Sequence, residues 1–330
     1  MKHPAYNLRP NKAVDRSLLV DRIRELEKFD LLNSRKCSYY GFGGPFLDDF
    51  RILSDRFPSM SFHSLEKKAH TYQRQKFHKF SSYITLHHRN VDSFLANEDL
   101  ESTDYMIWWL DYTNIGVNEL RDITSLANCL SPGSLLRVTA SANVRHDQNH
   151  LTELFDASSC RRALKAQAKD FRVKFESYLP EEFEDDEIFD DLKFPNLCVR
   201  MIENALEQRS NIASTRVWHL GSRIYRDGAQ MVTCEFYISS KPFGGSKTAL
   251  RFLDACNSNS GNSELINVPN LSIKERLFME GKLPKNPSKT SRLASCLGYR
   301  IDDTACKHDE AILQFSKYHR HYPMLGKVSQ

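Results

Sequence analysis

Short apolar runs alternate with amphipathic segments along the first half of the chain. The runs that predict strands occupy residues 37–41, 61–65, 83–87, 105–110 and 134–139. Each is followed by a segment with apolar residues near helical spacing, and a similar segment over 13–32 precedes the first run. Strands that are apolar at nearly every position are typical of a parallel sheet covered by helices on both faces. The pattern therefore predicts an α/β protein with five β-α repeats.

The pattern changes after the fifth run. Two longer β-like segments, 215–225 and 231–239, are joined by Arg226-Asp227-Gly228-Ala229 and predict an antiparallel hairpin. Helices predicted over 147–170 and 195–209 lie on either side of the acidic segment 176–191.

The end of the chain is predicted to be helical. Residues 241–246 have the composition of a linker, and Ser272-Ile273-Lys274-Glu275 has the form of a capping box that would start a helix. Further helices are predicted near 288–297 and 308–320. We expect an N-terminal helical segment (1–33), an α/β domain (34–240) and a basic helical C-terminal region (241–330).

A glycine-rich turn follows the first predicted strand. It reads Tyr39-Tyr40-Gly41-Phe42-Gly43-Gly44-Pro45, and the second predicted strand ends on Glu66. Open α/β sheets hold an adenosine in this way: glycines let the backbone approach the ligand, and the acid accepts hydrogen bonds from the ribose hydroxyls. The alternative is that the glycines form only a tight turn.

Two residues of this turn bear on which adenosine is bound. A dinucleotide-binding turn needs Gly or Ala where the helix packs on the strand, and Phe46 is at that position. Pro45, predicted to open a helix over 45–56, removes an N–H group that would face a pyrophosphate. Both residues favour a nucleoside without phosphates, such as S-adenosylmethionine, over NAD.

Five parallel strands followed by a hairpin resemble the class I, Rossmann-like fold of S-adenosylmethionine-dependent methyltransferases, over about residues 34–240. Four motifs are similar to a group of bacterial O-methyltransferase-like proteins found in multi-gene cassettes of anti-phage function. The motifs are Arg9-Pro10-x-Lys12, Tyr40-Gly41-Phe42-Gly43-Gly44-Pro45-Phe46-x-x-Asp49-Phe50, Ser64-Leu65-Glu66 and Trp109-Leu110-Asp111-Tyr112.

This resemblance assigns candidate roles to the strand tips. Gly41, Gly43 and Gly44 would contact the amino-acid and ribose portions of S-adenosylmethionine, and Glu66 would bind the ribose diol. Asn90, or Asp92 if the third strand ends later, would lie near the adenine, although Asn90 is equally suited to cap a helix.

Asp111 and Tyr112 are the candidate catalytic residues, because they follow the apolar run 105–110 at the carboxyl edge of the sheet. Asp111 could orient the cofactor's amine, act as a base, or bind a metal together with Asn143, although we expect no metal site. It could also only cap the next turn. Tyr112 could form a wall of the methyl-transfer pocket. Adenine amino-methyltransferases often carry Asp/Asn-Pro-Pro-Tyr/Phe here, and Asp111-Tyr112-Thr113-Asn114 departs from that motif.

Composition limits the remaining possibilities. No apolar run approaches the ~18–20 residues that span a membrane, and the eight cysteines include no Cys-x-x-Cys pair, which predicts a cytoplasmic protein. The net charge of +4 does not by itself indicate nucleic acid. Residues 176–191 carry nine acids and no base, whereas 268–330 carry eleven Lys/Arg against six acids. Either segment could bind a partner, and the basic stretch 73–78 could face an anionic substrate; the alternative for 176–191 and for 73–78 is a solvated surface.

Two hypotheses of function follow. The first is a methyltransferase that acts on an oxygen or nitrogen acceptor, which needs little beyond alignment of the reacting atoms and a base. The second is a sensor or complex subunit, in an anti-phage defence system, that keeps the fold without turnover.

Overall fold

The fold is an α/β sandwich built on one mixed sheet. The computed structural model describes residues 9–97, 100, 105–144, 157–210, 213–258, 261–283, 293, 295–302 and 304–322. The strands are β1 (Cys37–Gly41), β2 (Ser61–Leu65), β3 (Ile84–His87), β4 (Tyr105–Asp111), β5 (Leu135–Ser141), β6 (Thr215–Asp227), β7 (Ala229–Ser240) and β8 (Glu264–Ile266). The helices are α1 (Pro10–Lys28), α2 (Asp48–Arg56), α3 (Ala69–His78), α4 (Val91–Leu95), α5 (Val117–Cys129), α6 (Ala157–Phe175), α7 (Lys193–Glu207), α8 (Lys247–Asn257), α9 (Ile273–Glu280) and α10 (Ala305–Tyr318).

The strand order is β3-β2-β1-β4-β5-β7-β6-β8. Strands β1 to β5 pair in parallel, and β7 pairs antiparallel with β5. The predicted doubly wound, mostly parallel sheet with an antiparallel hairpin is confirmed. The order reverses between β1 and β4, which is the point where open α/β sheets bind ligands.

Most strand residues are buried because helices cover the sheet. Trp108 of β4, Leu136 of β5 and Phe236 of β7 belong to one core cluster with Leu120 of α5 and Ile202 of α7. At roughly 25 cal/mol per Å² of apolar surface removed from water, such burial is the main force that holds these strands in the interior.

The chain forms two compact units. The larger comprises residues 22–224 and 229–264, and the smaller comprises 1–21, 225–228 and 265–330. In the smaller unit the Asn11 side chain donates to Asp227 Oδ1 (3.1 Å) and accepts from the Val268 N–H (2.8 Å). The capping box at Ser272 and Glu275 is confirmed at the start of α9. The domain boundaries given above stay a prediction.

Three further helix predictions can be compared with the structure. The helix predicted over 308–320 is present as α10. Most of the helix predicted over 288–297 lies outside the described residues, as do residues 147–156 of the helix that the structure describes from Ala157. Among the described residues, none of the helices has the length and apolarity needed to cross a bilayer.

The prediction that Pro45 opens a helix is wrong. Gly43 and Gly44 both have positive φ (67° and 54°), and Leu47 does too (57°), so the chain makes a tight loop and α2 begins at Asp48. Phe46 is 40% exposed and its ring contacts His78, so it does not occupy a position where helix and strand pack closely. Neither Pro45 nor Phe46 therefore excludes a pyrophosphate from this loop.

The acidic segment 176–191 folds against its neighbours. Asp185 binds Arg172 of α6 (2.6 Å), Asp186 binds Lys193 of α7 (2.7 Å), and Glu187 pairs with Arg200 of α7. Several of its acids are thus neutralised by cations of the helices that flank it.

Candidate functional site

The candidate site lies where β2, β1 and β4 end side by side. Gly41 pairs with Ser64 of β2 and with Trp109 of β4. Glu66 and Asp111 each lie two residues beyond the partner of Gly41, one on either side of the glycine loop. Because neighbouring strands are about 4.8 Å apart, the two backbones that carry these acids are about 10 Å apart. The sheet register thus places Glu66 and Asp111, two of the residues that the sequence assigned to a cofactor, on either side of the glycine loop.

The loop after β1 requires glycine for two different reasons. At Gly43 a Cβ atom would lie 2.7 Å from Leu47 Cδ2 and 2.8 Å from Phe50 Cε2, so packing excludes a side chain. At Gly44 a Cβ atom would meet nothing within 4 Å, although its positive φ also favours glycine. The space beside Gly44 is therefore open, as expected where backbone approaches a ligand.

A buried glutamine fixes the glycine loop. Gln75 of α3 has no exposed surface, and its Nε2 donates to the carbonyl oxygens of Phe42 and Gly44, each at 2.8 Å. The Ser64 hydroxyl lies 3.2 Å from both the Phe42 oxygen and Gln75 Oε1. The carbonyl groups of Phe42 and Gly44 thus point toward the buried Gln75, on the inner side of the loop. Among the described residues, the N–H groups of Gly43 and Gly44 find no acceptor in the protein.

Glu66 is partly exposed at the end of β2. Its Oε1 accepts a hydrogen bond from the Lys68 N–H (2.7 Å), and its own N–H donates to the His87 carbonyl (3.0 Å). The carboxylate therefore faces the start of α3 with its other oxygen available. This arrangement is compatible with a ribose contact, which stays a prediction.

Asn90 and Asp92 lie at the start of α4. The Asn90 side chain caps this helix by accepting from the Ser93 N–H (3.0 Å). Asp92 is close enough to Asp122 of α5 to help raise the pKa of that carboxyl group. Both side chains are exposed. The Asn90 contact is within its own helix, whereas Asp92 is close to a carboxyl group of another helix, and the adenine roles of both residues stay predictions.

Asp111 and Tyr112 point to different surroundings. Asp111 ends β4 on the same side of the sheet as Trp109, and it is half-buried. The Tyr112 ring makes an edge contact with Phe42 of the glycine loop (centroids 5.3 Å apart), and its hydroxyl donates to Asp122 Oδ2 (3.0 Å). Tyr112 therefore packs against the glycine loop, whereas Asp111 lies at the edge of the sheet.

The Tyr112–Asp122 pair has perturbed protonation. Burial raises the pKa of Tyr112 well above its usual value, and the nearby Asp122 adds to this. Burial also raises the pKa of Asp122 to about 6, and Asp92 and Glu119 act in the same direction against the hydrogen bond from Tyr112. Tyr112 is a neutral phenol at ordinary pH, so it supplies shape and a donor, not a base.

The sequence predicted no individual role for Gln75, Ser64 or Asp122, although Ser64 is part of the motif that ends on Glu66. No local signal distinguishes Gln75, since Gln73, two residues earlier, is the same residue type and is exposed. The side-chain oxygen of Asn143, considered above as a metal ligand, accepts from the Gln230 N–H (2.8 Å) between β5 and β7.

The sequence profile of one protein family matches nearly the whole chain. The family is described as "Putative O-methyltransferase", and the match covers residues 4–330. No curated protein matches the chain at a significant level.

Several solved structures are similar over part of the chain. A methyltransferase dependent on S-adenosylmethionine from Anabaena variabilis has 13% identity and a TM-score of 0.37, with 69% of this chain and 86% of that chain covered. PKMT2 from Rickettsia typhi in complex with AdoHcy has 10% identity and a TM-score of 0.37, covering 65% and 50%. A probable spermidine synthase from Corynebacterium glutamicum has 9% identity and a TM-score of 0.38, covering 78% and 81%. The family match, not these distant structures, identifies the chain.

Proposed function

Because the chain belongs to the family described as "Putative O-methyltransferase", we propose that it transfers a methyl group to an oxygen or nitrogen acceptor at the carboxyl edge of the sheet. The cofactor is S-adenosylmethionine, which supplies an electrophilic methyl group on a sulfonium sulfur. The observation that carries the proposal is the register that sets Glu66 and Asp111 on either side of the loop after Gly41.

The glycine loop would hold the amino-acid end of the cofactor. Gln75 takes the Phe42 and Gly44 carbonyls to the inner side, which leaves the N–H groups of Gly43 and Gly44 to face a carboxylate. The open space beside Gly44 fits this use. Glu66 would accept from the ribose hydroxyls, and Asn90 or Asp92 would border the adenine.

Asp111 would act at the reacting end. A carboxylate there can bind the cofactor's ammonium group, or accept the proton that an uncharged acceptor loses as it is methylated. Tyr112 would form part of the pocket wall through its ring, since its hydroxyl is held by Asp122.

Calorimetry and a product assay test the proposal. We expect the purified protein to bind S-adenosylmethionine and S-adenosylhomocysteine much more tightly than NAD. With an acceptor present it should release S-adenosylhomocysteine, measured by mass spectrometry. Binding of NAD with no heat from either sulfur ligand would contradict the cofactor site.

The second candidate is a cofactor-binding subunit without turnover, in an anti-phage defence assembly. It is supported by the absence of the amino-methyltransferase motif at Asp111-Tyr112-Thr113-Asn114 and by exposed apolar side chains on α9, of which Leu277 is 61% exposed. Tight cofactor binding without S-adenosylhomocysteine release from a broad panel of acceptors would favour this candidate.

A further inference from the structure

The segment between Glu66 and Asp92 has a one-sided charge. Residues 67–91 contain six Lys/Arg and four His and no acid. Most of these side chains belong to α3 or its two ends, and α3 begins directly after the proposed ribose-binding acid.

Helix α3 has a buried side and an exposed side. Gln75 has no exposed surface and anchors the buried side to the glycine loop. Arg74, Lys76 and Phe77 are exposed, and Phe77 is 85% exposed, which makes it the most exposed of the large apolar side chains among the described residues. Core packing therefore does not explain why an aromatic residue is at position 77.

Aromatic rings and cations alternate around this exposed side. The Arg74 guanidinium lies 4.8 Å from the centre of the Phe46 ring, and Phe46 is 40% exposed. The Lys76 ammonium lies 4.7 Å from the centre of the Tyr72 ring, which stacks on His88 at 4.9 Å and 13°. We use the name α3 surface for six residues on and next to this helix: Phe46, Lys67, Lys68, Arg74, Lys76 and Phe77.

The cations of the α3 surface have no acidic partner among the described residues. Within the described part of the chain, no carboxylate forms an ion pair with Lys67, Lys68, Arg74 or Lys76. A group of unpaired cations attracts a polyanion. The counterions that the polyanion releases on binding drive the association.

We propose that the α3 surface binds single-stranded nucleic acid. Phosphates would pair with the lysines and Arg74, and an unpaired base would stack on Phe77. Stacking of bases on aromatic side chains next to a basic groove is the usual way in which proteins hold single strands. Duplexes hide the base faces, and an acidic peptide has no need for an exposed aromatic ring, so these partners fit less well.

The position of the α3 surface suggests a role for the bound nucleic-acid strand in the reaction. Because Arg74 contacts Phe46 in the loop between β1 and α2, a strand held there would run beside the carboxyl edge of the sheet. A nucleotide of that strand would then be the methyl acceptor, an extension that rests on the proposed function.

Fluorescence anisotropy with labelled single-stranded RNA and DNA oligonucleotides tests the binding on the full chain. We expect the logarithm of the association constant to fall with the logarithm of salt concentration by about 0.7 per phosphate neutralised. Phe77→Ala should weaken binding about tenfold with an unchanged salt slope, because it removes stacking and no charge. The double variant Arg74→Gln/Lys76→Gln should reduce the slope by about 1.4.

A matched control separates this surface from net charge. Lys247→Gln/Arg251→Gln removes two exposed cations from α8, and it should leave affinity and slope unchanged. If inorganic polyphosphate competes as well as the oligonucleotide and Phe77→Ala has no effect, the base-stacking proposal is wrong. Equal or tighter binding of duplex, or an equal effect of the α8 control, also overturns it.

Calorimetry with S-adenosylhomocysteine on the same proteins separates the two proposals. Cofactor binding without oligonucleotide binding overturns only the nucleic-acid surface. Oligonucleotide binding without cofactor binding overturns only the proposed function.

Discussion

Two polar networks are buried on the same face of the sheet, at the two ends of one row of paired residues. The row runs Ser64, Gly41, Trp109, Arg137, Glu235 across five strands. At one end Gln75 and Ser64 hold the glycine loop through neutral hydrogen bonds. At the other end Glu235 is surrounded by arginines.

The charged network joins four separate elements. Glu235 of β7 pairs with Arg137 of β5, with Arg22 of α1 (3.0 Å) and with Arg223 of β6 (3.2 Å). Although burial opposes ionisation, the three guanidinium groups hold the pKa of Glu235 far below its usual value. The carboxylate is therefore charged at any ordinary pH.

The two networks have different roles: the charged one stabilises the fold, and the neutral one positions the glycine loop. Removing one member of a buried ionic cluster leaves uncompensated charge, so that cluster determines whether the fold forms. Removing a neutral amide leaves two unsatisfied carbonyls, so it changes mainly the loop that those carbonyls belong to. We therefore expect damage at Glu235 to appear in stability and damage at Gln75 to appear in cofactor binding as well.

The largest expected effect is on folding, from Glu235→Ala. Three buried guanidinium groups would lose their shared carboxylate, and the free energy of unfolding should fall by about 3–5 kcal/mol, measured by urea unfolding. Glu25→Ala is the matched control because Glu25 pairs with the same Arg22 but its side chain is 43% exposed; it should cost at most about 1 kcal/mol. Equal losses in the two variants would contradict a structural role for the buried cluster.

The next effect is expected at Gln75. Gln75→Leu keeps the bulk and removes both donors, so the carbonyls of Phe42 and Gly44 would be buried without partners. Unfolding free energy should fall by about 2–4 kcal/mol, and affinity for S-adenosylhomocysteine should fall about tenfold.

Gln75→Glu distinguishes positioning from general destabilisation. Its ionised carboxylate would face two carbonyl oxygens, whereas the protonated acid can donate to one of them. Cofactor affinity of this variant should therefore recover as the pH is lowered, a trend that the unchanged protein lacks. A variant that folds and binds the cofactor equally at all pH values would show that Gln75 does not position the loop.

A smaller effect, on binding alone, is expected at Glu66. Glu66→Ala should weaken binding of S-adenosylhomocysteine by about 1–3 kcal/mol, because the ribose hydroxyls lose a charged acceptor. Stability should be unchanged, since the side chain is partly exposed at the end of a strand. Calorimetry and thermal melting measure both, and unchanged affinity in a normally melting variant would remove Glu66 from the site.

The sequence was sufficient for the strands and their order along the chain, because apolar runs and helical spacing are local signals. It was also sufficient to place Glu66 and Asp111 at one edge of the sheet, since the carboxyl ends of parallel strands meet there; their roles stay predictions. It failed at Pro45, because left-handed conformations at Gly43, Gly44 and Leu47 extend the loop before α2 begins.

It could not identify Gln75 or Asp122, because their partners are distant in the sequence. Gln75 is buried only because carbonyls more than thirty residues earlier need donors. The pKa of Asp122 is raised because the fold buries this carboxyl group and brings Asp92 of α4 close to it. Polar burial of this kind depends on tertiary contacts, which no local pattern encodes.

The smallest effect is expected at Asp122. Folding raises the pKa of Asp122, whereas it lowers the pKa of Glu235. The folded pKa of Asp122, about 6, exceeds the usual value of 3.8, so between these values the folded protein keeps a proton that the unfolded chain has lost. Stability therefore falls as the pH rises through this window.

Asp122→Asn keeps an acceptor for the Tyr112 hydroxyl and removes the charge beside Asp92. Relative to the unchanged protein, the variant should gain about 1 kcal/mol above pH 6, after allowance for partial exposure, and nothing below about pH 4. Urea unfolding of both proteins across this range measures the difference, and a difference independent of pH would show that Asp122 is already ionised in the folded state.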